Sequence, residues 1–271
     1  MNNQGGWQLV GDAPEAYEKY IVPAFSGAWA KDIVERAALK KGESVIDVAC
    51  GTGIVTRHVG AYVGRKGRVV GLDINQVMLD KARRISAAAG WDVEWKHGDI
   101  TRLPFPDGMF DAVLCQQGLQ YFPDPHAALM EMRRVLASDG RMVISVWRPI
   151  RYSPFYATLH QVLEKYVSAD AARTLASAYK LGDLDSIKPI FEAAELKVLR
   201  ARLVIKQMRC PSLTEFFYGG MAASPFAENI MALDDSVRDE MLRTIKRSVS
   251  EYMDDDGLAA PMEAYVLTAR K

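Results

Sequence analysis

Three aspartates and a glutamine carry the chemistry that can be read in this sequence: Asp47, Asp73, Asp99 and Gln116. Each follows or closes a short apolar run. Asp47 lies in Val45-Ile-Asp-Val-Ala-Cys-Gly-Thr-Gly53, where a buried strand meets an acid and then a Gly-x-Gly turn. Gly51 and Gly53 have no Cβ, so the backbone can turn sharply and let a ligand lie against the main chain. The amphipathic run over 54–62 reads as a helix whose N-terminus offers free N–H groups. Asp73 ends Arg68-Val-Val-Gly-Leu-Asp73, 20 residues after Gly53, the spacing at which an acid accepts hydrogen bonds from a ribose diol. Asp99 follows a third strand over 93–97, where a carboxylate is placed to face an adenine amino group. Gln116 begins the loop after a fourth strand over 110–115.

The elements that must position these groups follow a regular rhythm. A fifth strand over 140–147 succeeds a helix over 125–136. Strand–helix–strand units imply right-handed crossovers and a parallel sheet, and such sheets bind ligands at the carboxyl ends of their strands. All four polar groups fall at those ends.

At this point the chain resembles the class I S-adenosylmethionine-dependent methyltransferases, above all the branch of the ubiquinone/menaquinone-biosynthesis C-methyltransferases. The resemblance rests on Asp47-Val-Ala-Cys-Gly-Thr-Gly53, Gly71-Leu-Asp-Ile-Asn75 with Met78, Gly98-Asp-Ile100, and Leu103-Pro-Phe-Pro-Asp-Gly-Met-Phe-Asp111. Gln117-Gly-Leu-Gln-Tyr-Phe122 and Arg133-Arg-Val-Leu-Ala-Ser-Asp-Gly140 extend it, so that it covers about 35–147. It implies an α/β, Rossmann-like, doubly wound, seven-stranded, mostly parallel sheet with a helical lid made of insertions. It implies S-adenosyl-L-methionine as cofactor and S-adenosyl-L-homocysteine as product. Gly51, Thr52 and Gly53 would pass beneath the methionine part, with Asp47 near its amino group. Asp73 would bind the ribose hydroxyls, with Ile74 against the adenine and Met78 also at the cofactor. Gly98, Asp99 and Ile100 would meet the adenine edge. Gln116 and Gln117 would lie near the methionine end, and Thr56 matches a cofactor-contacting threonine of the quinone branch. Ala49 stands where many class I enzymes have a first glycine, as it does in the quinone branch.

The chain's 271 residues suffice for one large domain, and 49% apolar with 25% charged residues is an ordinary globular composition. Lys+Arg and Asp+Glu both number 34, which argues against a nucleic acid partner because such binding leaves a basic footprint. Cys50, Cys115 and Cys210 have no metal-ligand spacing and read as reduced thiols of a cytoplasmic protein. No apolar run is long enough to span a membrane, and the first residues lack the features of a signal peptide. The expected state is a monomer or homodimer acting on a small molecule.

The boundaries follow from the rhythm. Residues 1–6 read as disordered, and helices are expected over 13–21 and 24–39, separated by Pro23. These N-terminal helices (1–43) precede a cofactor-binding core over 44–147. A helical insertion over 148–183, a helix and sixth strand over 184–209, a second helical insertion over 210–258 and a last strand within 259–271 complete the chain. Asp254-Asp-Asp-Gly257 reads as a helix-end turn and lacks the ligand pattern of a calcium loop; no metal site is expected. The insertions and N-terminal helices are expected to cover the cofactor and shape the acceptor pocket.

Methyl transfer from a sulfonium is an in-line displacement, in which the protein mainly positions the acceptor. A hydroxyl or ammonium acceptor also needs a base. Among His58, His97, His126 and His160, only His126 opens a helix near the expected methyl group, and a plain surface role competes with it; the catalytic residue stays unassigned. Gln120 and Tyr121, with Trp147 at the end of the fifth strand, are candidate acceptor contacts, against loop capping and packing. Tyr20, with Tyr17 and Trp29, is placed to shield the sulfonium through its ring face, or simply to pack on the sheet. The aromatic and methionine cluster over 216–231 reads first as the core of the lid.

Two rivals stand beside the methyltransferase. An NAD-dependent oxidoreductase needs a third glycine where Thr56 stands. A non-catalytic S-adenosylmethionine-binding protein would keep the fold without turnover. Nucleic acid or protein methylation is disfavoured because Gln116-Gln-Gly-Leu follows the fourth strand in place of an Asn/Asp-Pro-Pro-aromatic segment.

Overall fold

The computed structural model describes Leu9 and residues 11–271. The expected disorder of residues 1–6 lies outside the described residues. The sheet is built from β1 (Ser44–Val48), β2 (Arg68–Asp73), β3 (Glu94–His97), β4 (Phe110–Gln116), β5 (Leu136–Trp147), β6 (Lys197–Cys210), β7 (Met253–Asp254) and β8 (Gly257–Arg270). Its order is β3-β2-β1-β4-β5-β8-β6, with β7 paired to β8. β1 to β5 pair in parallel, while β8 runs antiparallel to both β5 and β6. The seven expected strands are present; the eighth, β7, has two residues.

The helices are α1 (Ala13–Ala16), α2 (Gly27–Ala37), α3 (Ile54–Val63), α4 (Gln76–Ala89), α5 (Pro125–Val135), α6 (Pro154–Tyr166), α7 (Ala169–Ser177), α8 (Leu184–Ala193), α9 (Leu213–Glu215), α10 (Ala227–Met231) and α11 (Asp235–Ser248). Strand residues alternate between faces, and two apolar clusters result. Val45, Val69, Leu114 and Val143 pack with α2 and α3 on one face. Ile46, Val70, Val113 and Ile144 pack with α5 and α8 on the other. The first cluster continues without a break into α6, α7, α11 and the 213–230 segment.

Three expectations change. Pro23 does not separate two helices: α1, a π-helix over Tyr17–Ser26 and α2 form one continuous rod. A proline lacks the N–H of a regular turn and its ring strikes the carbonyl four residues back; the wider π turn accommodates both. The last strand begins at Gly257, ahead of the expected 259, and the sixth runs on to Cys210, so the two arms form one long antiparallel ribbon. Asp254 to Gly257 is therefore a hairpin turn between β7 and β8, not the end of a helix. Glycine is required there: at φ +104 a Cβ on Gly257 would lie 2.4 Å from the Cys210 carbonyl oxygen.

Candidate cofactor and acceptor site

The carboxyl ends of β1, β2 and β4 converge because their registers align Asp47 with Gly71 and Leu114. β1 leaves the sheet through a turn whose backbone is left-handed at Ala49 (φ 55), Gly51 (φ 56) and Gly53 (φ 84). Ala49 thus adopts the conformation that a glycine adopts readily, at a steric cost of about 1 kcal/mol. The two glycines serve different ends. A Cβ on Gly51 would meet only the Met78 methyl, at an ordinary 3.4 Å, so its other side is open to a ligand. A Cβ on Gly53 would lie 2.4 Å from the Trp95 ring, which also presses on Gly71. Gly53 is therefore needed for packing against β3 as well as for the turn.

Two carboxylates flank this turn. Asp47 is 1% exposed, and its Oδ2 accepts from the Thr56 amide at 3.0 Å and the Thr56 hydroxyl at 2.5 Å. Burial pushes its pKa from about 3.8 up to about 7, against the pull of those two bonds. Thr56 is fully buried and committed to Asp47, so it supports the carboxylate rather than offering a free hydroxyl. Asp73 accepts from the Gly51 amide at 2.7 Å and the Asn75 amide at 2.8 Å, which ties β2 to the turn. Burial raises its pKa too.

The carboxyl ends of β2 and β3 are more open. Ile74 is 37% exposed, Met78 and Ile100 are buried beneath it, and the His97 ring hydrogen-bonds the Ile74 carbonyl. Asp99 is exposed, and its Oδ1 caps a short 3-10 helix through the amide and hydroxyl of Thr101. The Gly98 amide donates to the Asp73 carbonyl.

The rod over 13–37 packs over the turn and the carboxyl end of β4. The Gln116 amide donates to the Ser26 carbonyl and reaches its hydroxyl, both at 3.2 Å. Ser26 also meets the Tyr17 hydroxyl at 3.1 Å, and burial raises the pKa of Tyr17, with the Asp73 charge adding to the rise. Arg57 clamps the rod to the turn, donating to the Thr52 carbonyl at 2.8 Å and to both Glu18 oxygens at 3.0 and 3.1 Å. Asn75 reaches the Leu9 carbonyl at 2.9 Å. Tyr20 does not join this group: its ring lies over Gly219, where an added Cβ would come within 2.2 Å.

Beyond Gln116 the chain is strained. Gln117 has φ 52, a conformation side-chain residues avoid. Its amide N–H donates to Ser145, yet both polar atoms of its side chain are buried with no partner among the described residues. The Thr52 hydroxyl and Gln116 Oε1 are in the same condition. Gln120 is 1% exposed, and both polar atoms of its amide are buried with no hydrogen-bond partner among the described residues. Tyr121, Tyr156 and Tyr179 act electrostatically on one another, and burial raises the pKa of all three. Trp147 is 6% exposed and packs edge-on against Phe25 and Trp29, with Phe25 also edge-on to Tyr156. These rings form an aromatic cluster between the rod, the end of β5 and α6.

The sequence therefore placed Asp47, Gly51, Asp73, Gln116, Gln117 and Tyr121 in one locality. It missed Arg57, Ser26, Trp95, Tyr156 and Tyr179, whose roles depend on contacts between distant segments. His126 is exposed and bonds the Ala193 carbonyl on α8, away from any catalytic position. A polar cavity of about 210 Å³ lies at the opposite, amino end of the sheet, lined by Glu43, Asp111 and Arg141 among others.

The grouping fits S-adenosylmethionine. Two buried carboxylates are costly unless they meet cationic or hydroxyl groups, and that cofactor carries an ammonium, a sulfonium and a ribose diol. The unpartnered Thr52, Gln116 and Gln117 groups are further polar atoms for a ligand to satisfy.

Residues 45–140 match the family model for a methyltransferase domain. The chain is 36% identical over 193 residues to the 2-phytyl-1,4-naphtoquinone methyltransferase of Synechococcus elongatus, covering 65% of this chain and 81% of that protein. It is 30% identical over 185 residues to the demethylmenaquinone methyltransferase of Staphylococcus aureus, covering 64% and 76%. A Bacillus halodurans structure superposes with a TM-score of 0.60 at 22% identity, over 89% of this chain and 98% of that one. A SAM-dependent methyltransferase structure from Aquifex aeolicus superposes with a TM-score of 0.52 at 20% identity, over 71% and 92%. These likenesses do not favour an oxidoreductase or a non-catalytic binder. The chain belongs to the class I S-adenosylmethionine-dependent methyltransferases, in the branch of the quinone methyltransferases, and is a methyl-transferring enzyme.

Proposed function

We propose that the acceptor is an uncharged aromatic ring bearing hydroxyl groups, of the quinol type, and that a ring carbon beside a hydroxyl takes the methyl group. The observation that carries this is the cluster of aromatic rings around Trp147 and Tyr156, with three tyrosines whose hydroxyls are buried. Tyr121, Tyr156 and Tyr179 stay protonated through the physiological range, so they donate hydrogen bonds and do not act as bases. Aromatic walls suit a flat ring, and neutral donors suit ring oxygens better than a zwitterion or a phosphate. The two relatives named above act on naphthoquinones, by their names.

When bound, S-adenosylmethionine supplies an electrophilic methyl on a sulfonium and leaves as S-adenosylhomocysteine. Asp47 and Asp73 would hold the ammonium and ribose, with Gly51 and Thr52 beneath, Ile74, Met78, Asp99 and Ile100 around the adenine, and Gln116 at the methionine end. Gln117, Gln120 and Tyr121 would orient the ring oxygens, and Trp147 would bound the ring plane. The ring carbon would take the methyl group that the cofactor supplies; the neighbouring ring hydroxyl would give its proton to solvent as the acceptor binds, and the displaced ring hydrogen would pass to that ring oxygen. Segments 148–183 and 210–258, with the N-terminal rod, exclude bulk water from this site; their shared apolar cluster supports that role.

The test is incubation with S-adenosylmethionine and a reduced 1,4-naphthoquinone, read by fragment mass spectrometry. A new carbon-bound methyl is expected. Methylation on oxygen, or transfer only to amines, would refute the acceptor class.

A further inference from the structure

The last turn of α2 lies against the β6–β8 ribbon, and three arginines line one hollow there. Arg200 and Arg202 of β6 and Arg36 of α2 surround about 80 Å³, with Val266 and Thr268 of β8 completing the wall. The register explains the convergence. Arg200 stands opposite Thr268 and Arg202 opposite Val266, and residues two apart on a strand share a face at about 7 Å. Val266 belongs to the apolar cluster that packs with α2, so both arginines lie on the α2 side. The charges in this place do not balance. Asp32 accepts from Arg36 through both oxygens and also engages Lys206 at 3.4 Å. Glu35, beside Arg36 in sequence, pairs with Lys31 at 3.9 Å. Arg200 and Arg202 have neither a hydrogen bond nor an ion pair among the described residues.

We infer that this hollow binds the phosphoryl group of a small soluble molecule, at a site separate from methyl transfer. Like charges at neighbouring positions of one sheet face repel, and an anion between them turns that cost into attraction. A guanidinium is a planar fork that matches paired oxygens of a phosphoryl group. Three such forks call for more oxygen atoms than a single carboxylate has, and the Thr268 hydroxyl adds a neutral donor. The volume is that of about two to three liquid waters, which suits one tetrahedral oxyanion. Arg200 and Arg202 are exposed, so the remainder of the ligand extends into solvent. Arg36 stands ten residues beyond Ser26 on the rod, about 15 Å along the helix axis, which sets the hollow apart from the cofactor turn. A bound anion joins α2, β6 and β8, so occupancy stabilises the folded chain.

Calorimetric titration of the full chain with inorganic phosphate at fixed ionic strength tests the inference without cofactor or acceptor. Saturable binding at one site is expected, weakening as salt rises. Arg200→Ala and Arg202→Ala should each weaken it by about tenfold or more, and Thr268→Val by about fivefold. Lys197→Ala removes the same charge from the same strand outside the hollow, and should change it by less than about twofold. S-adenosylhomocysteine titration of each variant checks that the fold is intact and that the two sites are distinct; its affinity should not move. Absence of saturable phosphate binding, phosphate binding unchanged in both arginine variants, or an equal loss in Lys197→Ala would overturn the inference. Retention on phosphatidylglycerol vesicles with no binding of free phosphate would assign these cations to a lipid headgroup and overturn the soluble ligand. The acceptor class proposed above stands or falls independently of these results.

Discussion

Replacing Asp47 with asparagine is expected to stabilise the cofactor-free enzyme above neutral pH while weakening cofactor binding. The folded protein raises this carboxyl from about 3.8 to about 7 by burying it, a preference for the neutral form of about 4 kcal/mol. An unfolded aspartate loses its proton near the lower value and the folded one keeps it until near the higher. In that window the folded state binds more protons, so unfolding free energy falls as pH rises and levels off above about pH 7. Asparagine has the same shape and no charge, and its carbonyl can accept the two Thr56 bonds. Its amide N–H groups lack an acceptor, at about 1–3 kcal/mol. A net gain of about 1–3 kcal/mol is therefore expected at about pH 8, shrinking towards about pH 4. Urea unfolding of both proteins across this range measures it. A variant less stable than the parent at about pH 8, or two curves running parallel, would refute the reasoning.

The same carboxylate gives a signature in binding. A ligand ammonium favours the ionised form, so S-adenosylhomocysteine binding should release a proton from Asp47 below about pH 7. Parent affinity should then rise with pH by up to about tenfold per unit in that range. The asparagine variant should bind more weakly and without this dependence. Calorimetry in buffers of different ionisation enthalpy reports the proton directly.

Arg57→Ala removes the clamp between Glu18 and the Thr52 carbonyl; a loss of about 2–3 kcal/mol in thermal unfolding is expected, with faster amide exchange over 17–26. Gly53→Ala drives a Cβ into Trp95 at a φ of +84; about 2–4 kcal/mol should be lost, and tryptophan emission should shift as the ring moves. Tyr156→Phe should raise the acceptor KM by about tenfold through one lost hydrogen bond, with S-adenosylhomocysteine affinity unchanged.

What the sequence disclosed and what it hid divide on physical lines. The cofactor half is written in local patterns: an apolar run, an acid at its end, glycines at fixed offsets. Each strand end carries its own polar group, so Asp47, Asp73 and Gln116 could be placed without knowing how distant segments meet. The rod over 13–37 was misread because proline is normally a terminator, and nothing local announces that a π turn will absorb it. The hairpin at Asp254 was misread because four polar residues end a helix or turn a ribbon equally well; pairing of β8 with β6 decides between them. Tyr156 and Tyr179 were invisible because their place depends on two helices folding back over β5, and tyrosine at helical spacing carries no functional mark. Trp95 was hidden for the opposite reason: its partner glycines were already explained by the turn.

This division bears on how the enzyme works. The acceptor site proposed here draws Tyr17 and Phe25 from the N-terminal rod, Tyr121 from the loop after β4, and Tyr156 and Tyr179 from the 148–183 insertion. None of these segments holds the site by itself. The rod is seated by Gln116 on Ser26 and by Arg57 on Glu18, and Asn75 holds the Leu9 carbonyl of the segment before it. Every one of those tethers starts from a residue at or next to the cofactor turn. If the turn holds the cofactor and the tyrosines hold the acceptor as proposed, a ligand that orders the turn is expected to order the rod as well. Coupling of this kind is reciprocal, so a substitution such as Arg57→Ala acts on both ligands although it need touch neither.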